Sequence, residues 1–235
     1  MYWKKYNMQH QVIILVGPPG SGKGTQAELL ADDFDFYNLE SSKIIETKIH
    51  ENTDNPMLKE AQANFKNGKL VDPKLVASWI VDTIRNIGAK QSMVFSGSFR
   101  TIQEAEIETP IIEELFGNKN VHIINIQLDG GKSVERNTNR RICKANRHPI
   151  PNFPEFKNIT TCPKDGSELI KRILDNEETM RVRYATYMEE TTPVLDYFRN
   201  RGYTILEING DQGIREVHDD IMRGLDKASH PDLWF

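Results

Sequence analysis

The feature that most constrains the fold of this chain is a glycine-rich segment near its N-terminus, GPPGSGKGT at residues 17–25. It follows an apolar run over residues 12–16 that predicts a buried strand, and it leads into an amphipathic run over residues 25–34 that predicts a helix. Between a strand and a helix, such glycines let backbone N–H groups turn inward, and the helix N-terminus adds a partial positive charge. The segment therefore predicts a phosphate-binding loop rather than a glycine-rich turn without a ligand.

The lysine of this loop is placed to reach the β- and γ-phosphates of a nucleoside triphosphate. The pattern is G-x-x-x-x-G-K-G-T, in which Gly24 stands where a serine or threonine is usual and Thr25 follows one residue later. The loop residues predicted to bind the triphosphate are Gly20, Ser21, Gly22, Lys23, Gly24 and Thr25.

Strand-like and helix-like segments alternate along the rest of the chain. Apolar runs predict strands at residues 12–16, 36–39, 93–95, 121–128 and 203–208. Helical periodicity predicts helices at residues 23–34, 42–50, 57–67, 73–87, 101–116, 133–144, 175–198 and 213–225. This alternation predicts an α/β fold with a parallel sheet of five strands and helices on both faces, in which ligands bind beyond the C-terminal ends of the strands.

Two segments interrupt this alternation and are interpreted as insertions above the phosphate-binding loop. Residues 40–71 are polar and helical without a strand, and residues 139–175 are rich in Pro, Asn, Lys and Thr with too few apolar residues for a core layer. Connections of this length inside compact domains are usually functional lids or disordered segments. The predicted core domain therefore consists of residues 1–39, 72–138 and 176–235.

Composition excludes several classes of partner. With 30 Lys and Arg residues against 34 Asp and Glu residues, the chain has no overall attraction for nucleic acid or for an anionic membrane. No apolar segment approaches the roughly 20 residues that span a bilayer, and the N-terminal residues lack the apolar stretch of a signal peptide. Two cysteines make no disulfide framework. We therefore expect a cytoplasmic protein that binds neither nucleic acid nor membrane.

The loop, followed by Gln26, resembles that of the adenylate kinase family of nucleoside monophosphate kinases, and later segments resemble further motifs of that family in the same order over roughly residues 11–225. Residues 68–72 (GKLVD) resemble the end of the family's monophosphate-binding domain, and residues 97–101 (GSFRT) resemble its Asp-Gly-Phe-Pro-Arg-Thr motif. Residues 136–141 (RNTNRR) resemble the arginines at the start of the family's lid, and residues 172–183 resemble the segment that follows the lid. The resemblance implies a P-loop kinase fold in which residues 40–71 are the monophosphate-binding subdomain and residues 139–175 are the lid subdomain.

The same resemblance implies an enzyme of nucleotide biosynthesis, a monomer that transfers the γ-phosphoryl group of ATP to a nucleoside monophosphate and yields two diphosphates. AMP is the expected acceptor, and Mg²⁺ accompanies ATP. By resemblance, the catalytic residues are Lys23, Arg140, Arg172 and Arg183. Arg136 and Arg140 join the loop in binding ATP, with Arg136 stacked on the adenine. The implied monophosphate-binding residues are Ser41, Val71, Gly97, Arg100, Arg172 and Arg183.

Arginine suits such a site because it stays charged and offers forked donors to phosphate. Each arginine also has an ordinary structural interpretation. Arg136 and Arg140 lie four residues apart and share one helix face, which a solvated basic surface would also explain, and Arg183 could belong to a surface ion pair. Their spacing from Lys23 favours the functional interpretation.

The acceptor side departs from the motifs of the family. The aspartate expected before Gly97 is Ser96, so that Mg²⁺ binding is either weakened or passed to another group. A phosphate-binding arginine is replaced by Glu46, which either points away and pairs with Lys43 or belongs to a pocket for a different group. Glu104 stands where a glutamine reads adenine. These departures keep two further interpretations open: a nucleotide-binding module with weak or lost kinase activity, and a kinase of small metabolites.

The predicted lid contains a pattern similar to the zinc knuckle of some relatives. Cys143-x-x-Asn146 is followed, after fifteen residues, by Cys162-x-x-Asp165, and Asn146 stands where those relatives carry a third cysteine. His148 could substitute for it, which gives Cys143, His148, Cys162 and Asp165 as a set suited to tetrahedral Zn²⁺. The alternative is a hydrogen-bonded polar knot without metal, which the presence of only two cysteines favours. Either arrangement would be structural.

Overall fold

The structure is a computed structural model that describes residues 8–51, 55–172 and 175–229. The strands are β1 (Val12–Val16), β2 (Tyr37–Glu40), β3 (Met93–Ser96), β4 (Val121–Gln127), β5 (Arg141–Cys143), β6 (Pro149–Ile150), β7 (Leu169–Ile170) and β8 (Ile205–Asn209). The helices are α1 (Lys23–Phe34), α2 (Ser41–Glu51), α3 (Pro56–Lys66), α4 (Pro73–Ile87), α5 (Ile102–Phe116), α6 (Gly130–Asn139), α7 (Glu177–Thr186), α8 (Thr192–Asn200) and α9 (Ile214–Ser229).

Five of these strands form one parallel sheet in the order β2-β3-β1-β4-β8. The central strand is β1, and all five of its residues are buried. Because all five strands are parallel, the C-terminal ends of β1, β3 and β4 lie along one edge of the sheet. The predicted α/β fold and its five strands are confirmed, with strand ends within two residues of the expected positions.

Alternate residues of β1 pack on opposite faces of this sheet, as the twofold periodicity of a strand requires. Ile14 lies in a buried cluster with side chains of α4, α5 and α8, whereas Ile13 lies in a second cluster with side chains of α1 and α9. The sheet is therefore covered by helices on both faces, and its ligand-binding edge is left between them.

Side-chain caps determine where several helices begin. Pro73 is the first residue of α4, where its missing N–H has no partner to lose. The capping side chains accept hydrogen bonds from backbone N–H groups of the first turn, and they belong to Asp72 before α4, Thr101 before α5, Asp129 before α6 and Asn176 before α7. Two of these four helices, α5 and α6, follow the loops after β3 and β4 at the ligand-binding edge, so their caps also fix those loops.

The helix predicted over residues 133–144 is wrong at both ends. It begins earlier, at Gly130, and it ends at Asn139, because Arg140 adopts an extended backbone with φ −76° and ψ 158°. β5 follows and pairs antiparallel with both β6 and β7. Ile142 and Cys143 are buried in this small sheet, so the insertion has an apolar centre that was not expected. Strands of two or three residues are too short to show a periodicity.

The single helix predicted over residues 175–198 consists of three pieces. α7 and α8 are joined by a π-helical stretch, Tyr187–Thr191. Pro193 lies in the first turn of α8 and supplies no N–H to the helical ladder. Thr191 donates from its hydroxyl to the carbonyl oxygen of Arg100, 2.8 Å away, which joins this irregular stretch to the loop after β3.

The two predicted insertions contain α2 with α3 and β5 with β6 and β7, respectively. Their division into separate subdomains at residues 40–71 and 139–175 stays a prediction. The C-terminal tail, residues 230–235, lies outside the described residues. In the described part of the chain, no helix is both long enough and apolar enough to cross a membrane.

Candidate active site

The glycine-rich segment connects β1 to α1 at the ligand-binding edge of the sheet. Gly17, Gly20 and Gly22 have φ values of 151°, 78° and 102°, a region that side chains disfavour. A Cβ atom at Gly17 would overlap the carbonyl oxygen of Ile126, and one at Gly20 would lie 2.5 Å from Nδ2 of Asn137. The loop therefore requires glycine both for its backbone conformation and for its close approach to β4 and α6.

Lys23 folds back onto this loop. Its Nζ donates to the carbonyl oxygens of Gly17 at 2.6 Å and Pro18 at 2.8 Å. Burial lowers the pKa of Lys23 to about 7, and the nearby positive charges of Arg100, Arg183 and Arg140 lower it further. A lysine whose charged form is disfavoured in this way gains strongly from a bound anion.

Six arginines from separate parts of the chain line the cavity beside the loop. They are Arg100 after β3, Arg136 in α6, Arg140 after α6, Arg147 between β5 and β6, Arg172 after β7 and Arg183 in α7. Burial, followed by neighbouring arginines, lowers the pKa of two of them, to about 10 at position 172 and to about 9 at position 183. Such a concentration of buried positive charge is suited to a polyanionic ligand.

These arginines differ in how they are held. Arg140 makes a two-pronged ion pair with the buried carboxylate of Asp175, with N–O distances of 2.6 and 2.9 Å. Arg136 donates to the carbonyl oxygen of Gly210 at 2.8 Å and lies over the ring of Phe153, 5.4 Å from its centroid. Arg183 has a buried guanidinium nitrogen without a hydrogen-bond partner among the described residues. Arg183 is thus the arginine most clearly left with an unused donor.

Two cavities meet at these cations. The first has a volume of about 220 Å³ and is lined by all the residues predicted to bind ATP, and the second has a volume of about 150 Å³ and extends toward the π-helical stretch. Both are lined by Lys23, Gly97, Arg100 and Arg183. If each cavity held an anionic ligand, the negative groups of both ligands would therefore contact the same three cations.

The four candidate zinc ligands come together in the small sheet. Their ligand atoms all lie within 4.8 Å of one another, and both cysteines are buried and free. Nδ1 of His148 lies 3.5 Å from Sγ of Cys143, 3.4 Å from Sγ of Cys162 and 3.3 Å from Oδ2 of Asp165. Ligands at about 2.0–2.3 Å from a tetrahedral Zn²⁺ lie about 3.3–3.8 Å from one another, so the three distances from His148 match those between the ligands of a zinc site.

Comparisons with known proteins show which family this chain belongs to. A family model described as adenylate kinase matches residues 15–203. The chain is 32% identical over 212 residues to the adenylate kinase of Bacillus subtilis, which covers 89% of this chain and 95% of that protein. This chain belongs to the adenylate kinase family. The corresponding protein of Bacillus licheniformis is 34% identical over 221 residues, with 92% and 99% covered, and that of Clostridioides difficile is 33% identical over 216 residues, with 91% and 97% covered.

The residues that the adenylate kinase resemblance assigns to the monophosphate are divided between the cavities and the core. Gly97, Arg100 and Arg183 line both cavities, and Arg172 lines the first. Two others line neither cavity. Ser41 is fully buried and donates from its hydroxyl to the carbonyl oxygen of Gly97, and Val71 is buried in the apolar cluster beside α4. The roles of all six residues stay predictions.

Two departures from the adenylate kinase motifs have a clear place in the structure. Ser96 lines the first cavity, with its hydroxyl 3.5 Å from Oδ1 of Asn38. Glu104 lines neither cavity. It is buried, burial raises the pKa of its carboxyl group, and it accepts a hydrogen bond of 2.7 Å from the backbone N–H of Arg100. In this structure Glu104 therefore supports the loop that carries Arg100.

The third departure, Glu46, does not pair with Lys43, which was one of the two possibilities open from the sequence. Lys43 instead forms an ion pair of 3.0 Å with Glu40. Glu46 accepts a hydrogen bond from the guanidinium group of Arg147, in the turn between β5 and β6. The two residues are 101 positions apart, so the pairing could not be recognised from local helical spacing.

Three residues of the site were missed by the sequence analysis. Arg147 lines the first cavity, Asp175 anchors Arg140, and Phe153 lies beneath Arg136. Asp175 lies inside the segment that resembles the family's lid exit, so a search for a carboxylate partner there would have found it. The other two lie in the irregular part of the lid insertion, where no pattern marks them.

Proposed function

We propose that this member of the adenylate kinase family transfers the γ-phosphoryl group of ATP to a nucleoside monophosphate, with AMP as the expected acceptor. The observation that carries the proposal is the meeting of two cavities at Lys23, Arg100 and Arg183. Phosphoryl transfer needs two substrates held in line, exclusion of water and positive charge over the transferring oxygens. A shared wall of cations between two cavities meets the first and third of these needs.

The proposed roles follow the two cavities. The loop and Arg136 hold ATP in the first cavity, with the adenine between Arg136 and neighbouring apolar groups. Gly97 and Arg100 hold the acceptor phosphate, and two half-buried arginines, Arg172 and Arg183, neutralise charge as the phosphoryl group moves between the nucleotides. Arg140 is held in place by Asp175 to serve the same phosphates.

Mg²⁺ enters this proposal as part of the substrate, bound to the phosphates of ATP. The chain offers hydroxyl groups rather than a carboxylate where the family has an aspartate, since Ser96 lines the cavity beside the loop. We therefore expect the ion to be held by ATP and water, with Thr25 and Ser96 as polar neighbours. Its charge would help the arginines to neutralise the phosphates.

The position of the small sheet supports a lid role for residues 139–175. Arg140 and Arg147 of this insertion reach the first cavity, and Lys164 forms ion pairs with Glu28 at 3.2 Å and Asp32 at 2.8 Å in α1. A closed lid of this kind would exclude water from the transferring phosphates.

From its membership of the family, we also expect the protein to be a cytoplasmic monomer without nucleic-acid or membrane partners.

A coupled assay tests the proposed function. ATP and Mg²⁺ are supplied with AMP, CMP, UMP or GMP in turn, and the formation of diphosphates is followed. Turnover with AMP above the other acceptors supports the proposal. Tight ATP binding without transfer to any of the four would instead support a nucleotide-binding module. The four retained arginines, at positions 100, 140, 172 and 183, disfavour that interpretation.

The affinity for ATP is expected to decrease as the pH rises above 7. The pKa of Lys23 is about 7 in the ligand-free protein, so the lysine is charged below this pH and loses its proton above it. Bound phosphate favours the charged form, so the dissociation constant should increase by up to about tenfold per pH unit above pH 7. Calorimetry at pH 7–8, where Arg183 with its pKa of about 9 is still charged, in buffers of different ionisation enthalpy should detect proton uptake on binding. Lys23→Arg, which stays charged, should remove this uptake.

We also propose that the four clustered lid side chains bind one Zn²⁺ ion. Removal of the metal by a chelator is then expected to lower the melting temperature, because the site joins both ends of the small sheet. Elemental analysis should find about one zinc per chain in the native protein and none in Cys143→Ser. A metal-free protein whose melting temperature does not respond to zinc or to chelator would establish the hydrogen-bonded alternative.

A further inference from the structure

One ion pair joins the two insertions of this fold. A guanidinium nitrogen of Arg147, in the turn between β5 and β6, donates to Oε2 of Glu46 in α2. The side chain of Arg147 is 22% exposed and that of Glu46 is 43% exposed. The contact therefore lies at the rim of the active-site cavity rather than on the open surface.

The two partners face the cavity differently. Arg147 lines the first cavity, which also reaches Gly97 and Arg100, the residues proposed to hold the acceptor phosphate, whereas Glu46 does not line it. Arg147 also lies close to Arg172. Burial lowers the pKa of Arg172 most, and the positive charges of Arg140 and Arg147 lower it further. Arg147 is thus part of the same cluster of positive charge.

The backbone holds Arg147 firmly in this position. Its φ of 58° lies in the left-handed region, which is uncommon for a residue with a long side chain. Its N–H donates to the carbonyl oxygen of Cys143 at 3.0 Å, and the N–H of the next residue, His148, donates to Sγ of Cys143 at 3.3 Å. The turn is therefore fixed on both sides of Arg147, as is common for backbone strain at functional sites.

We propose that Arg147 is a further phosphate-binding residue for the acceptor nucleotide, carried by the lid insertion, and that Glu46 positions it. This inference rests on the proposed function. A guanidinium group has five N–H donors, and the contact with Glu46 leaves others free to donate to a phosphate in the cavity. Glu46 alone would repel a phosphate near α2. Paired with Arg147, the same carboxylate holds a cation there, so the acceptor side becomes attractive to phosphate only when the lid lies over it.

Equilibrium binding separates this role from a structural one. Calorimetry is carried out with AMP and with adenosine, each in the presence of a non-hydrolysable ATP analogue and Mg²⁺. Arg147→Gln is expected to weaken AMP binding by about 10–100-fold, the range for loss of a hydrogen bond to a charged group, and to change adenosine binding less than about twofold. Glu46→Gln keeps an oxygen that accepts from Arg147 and should weaken AMP binding by less than about threefold.

Matched controls complete the experiment. Lys144→Gln removes an exposed charge from the same turn, where it pairs with Glu168 at 3.0 Å, and should leave both affinities unchanged. Thermal unfolding shows whether Arg147→Gln is folded. If it is not, Arg147→Lys, which keeps the charge but lacks the two-pronged donors of a guanidinium group, should lose an intermediate part of its affinity for AMP and none for adenosine.

Three results would overturn the inference. One is unchanged AMP binding by Arg147→Gln. Another is an equal loss of affinity for AMP and for adenosine in Arg147→Gln, or an equal loss of AMP affinity in Arg147→Gln and Glu46→Gln. An ion pair that only holds the two insertions together predicts such equal losses. The third is a loss of affinity for the ATP analogue alone, when the analogue is titrated separately into Arg147→Gln. Because the test measures binding, a protein that binds AMP but shows no turnover would refute the proposed function without deciding the role of Arg147.

Discussion

Lys23→Ala is expected to reduce kcat for phosphoryl transfer by at least about 10³-fold, the effect of removing one principal charge from such a transition state. Lys23 lines both cavities. Burial and three arginines lower its pKa to about 7, so the lysine is only partly charged near neutral pH when no ligand is bound. Phosphate would restore that charge at the point where the phosphoryl group moves. A stopped assay with saturating ATP and AMP measures the loss.

The fold is expected to survive this substitution. Among the described residues, the side chain of Lys23 makes hydrogen bonds only to carbonyl oxygens of its own loop and to the hydroxyl of Ser21. The melting temperature should therefore change by only a few degrees, and Lys23→Met, which keeps the length of the side chain, should behave in the same way. Lys132→Ala is the matched control, since that lysine is exposed in α6 and pairs with Glu135. Turnover by Lys23→Ala close to that of the unaltered protein would remove Lys23 from the mechanism.

Arg183→Leu should lose activity and gain stability together. Arg183 lines both cavities and has one buried guanidinium nitrogen without a partner among the described residues. Burial, followed by the charges of Arg100, Arg172 and Arg140, lowers its pKa to about 9. Without a ligand this buried charge destabilises the fold, and its replacement by an apolar group should stabilise the fold by about 1 kcal/mol or more. For a chain of this length that corresponds to an increase in melting temperature of about 2–4 °C.

The same arginine would neutralise charge on the transferring phosphoryl group, so kcat should decrease by about 10³-fold or more. Arg181→Leu is the matched control on the same helix: Arg181 is exposed and pairs with Glu177 at 2.7 Å, so kcat should be unchanged. A parallel decrease in melting temperature and kcat of Arg183→Leu would show that Arg183 supports the fold instead. Opposite changes in the two quantities are the signature of a residue kept for function at the expense of stability.

The parts of the fold that could be predicted from the sequence are those with strong local patterns. Apolar runs such as residues 12–16 and 121–127 mark strands that are buried on both faces, and the glycines around Lys23 mark a loop whose backbone conformation few other residues adopt. Arg100, Arg140 and Arg183 were predicted from segments that resemble family motifs, and in the structure all three line the cavity beside that loop.

The remaining features depend on contacts between distant residues. The small sheet has strands of two or three residues, so the end of α6 and the start of β5 left no periodic signal. Glu104 stands at a base-reading position in the sequence, yet its carboxylate turns to the N–H of Arg100. The pairing of Glu46 with Arg147 depends on the lid insertion meeting α2, which no local pattern encodes.

The most direct test of the central claim is a crystal structure with a bisubstrate analogue in which two nucleosides are joined by a polyphosphate chain. We expect one nucleoside in each cavity, with the polyphosphate passing between them within hydrogen-bonding distance of Lys23, Arg100 and Arg183. Nζ of Lys23 should then have left the carbonyl oxygens of Gly17 and Pro18. An analogue bound elsewhere, with Lys23 still folded onto its loop and Arg183 without a phosphate contact, would contradict the proposed mechanism.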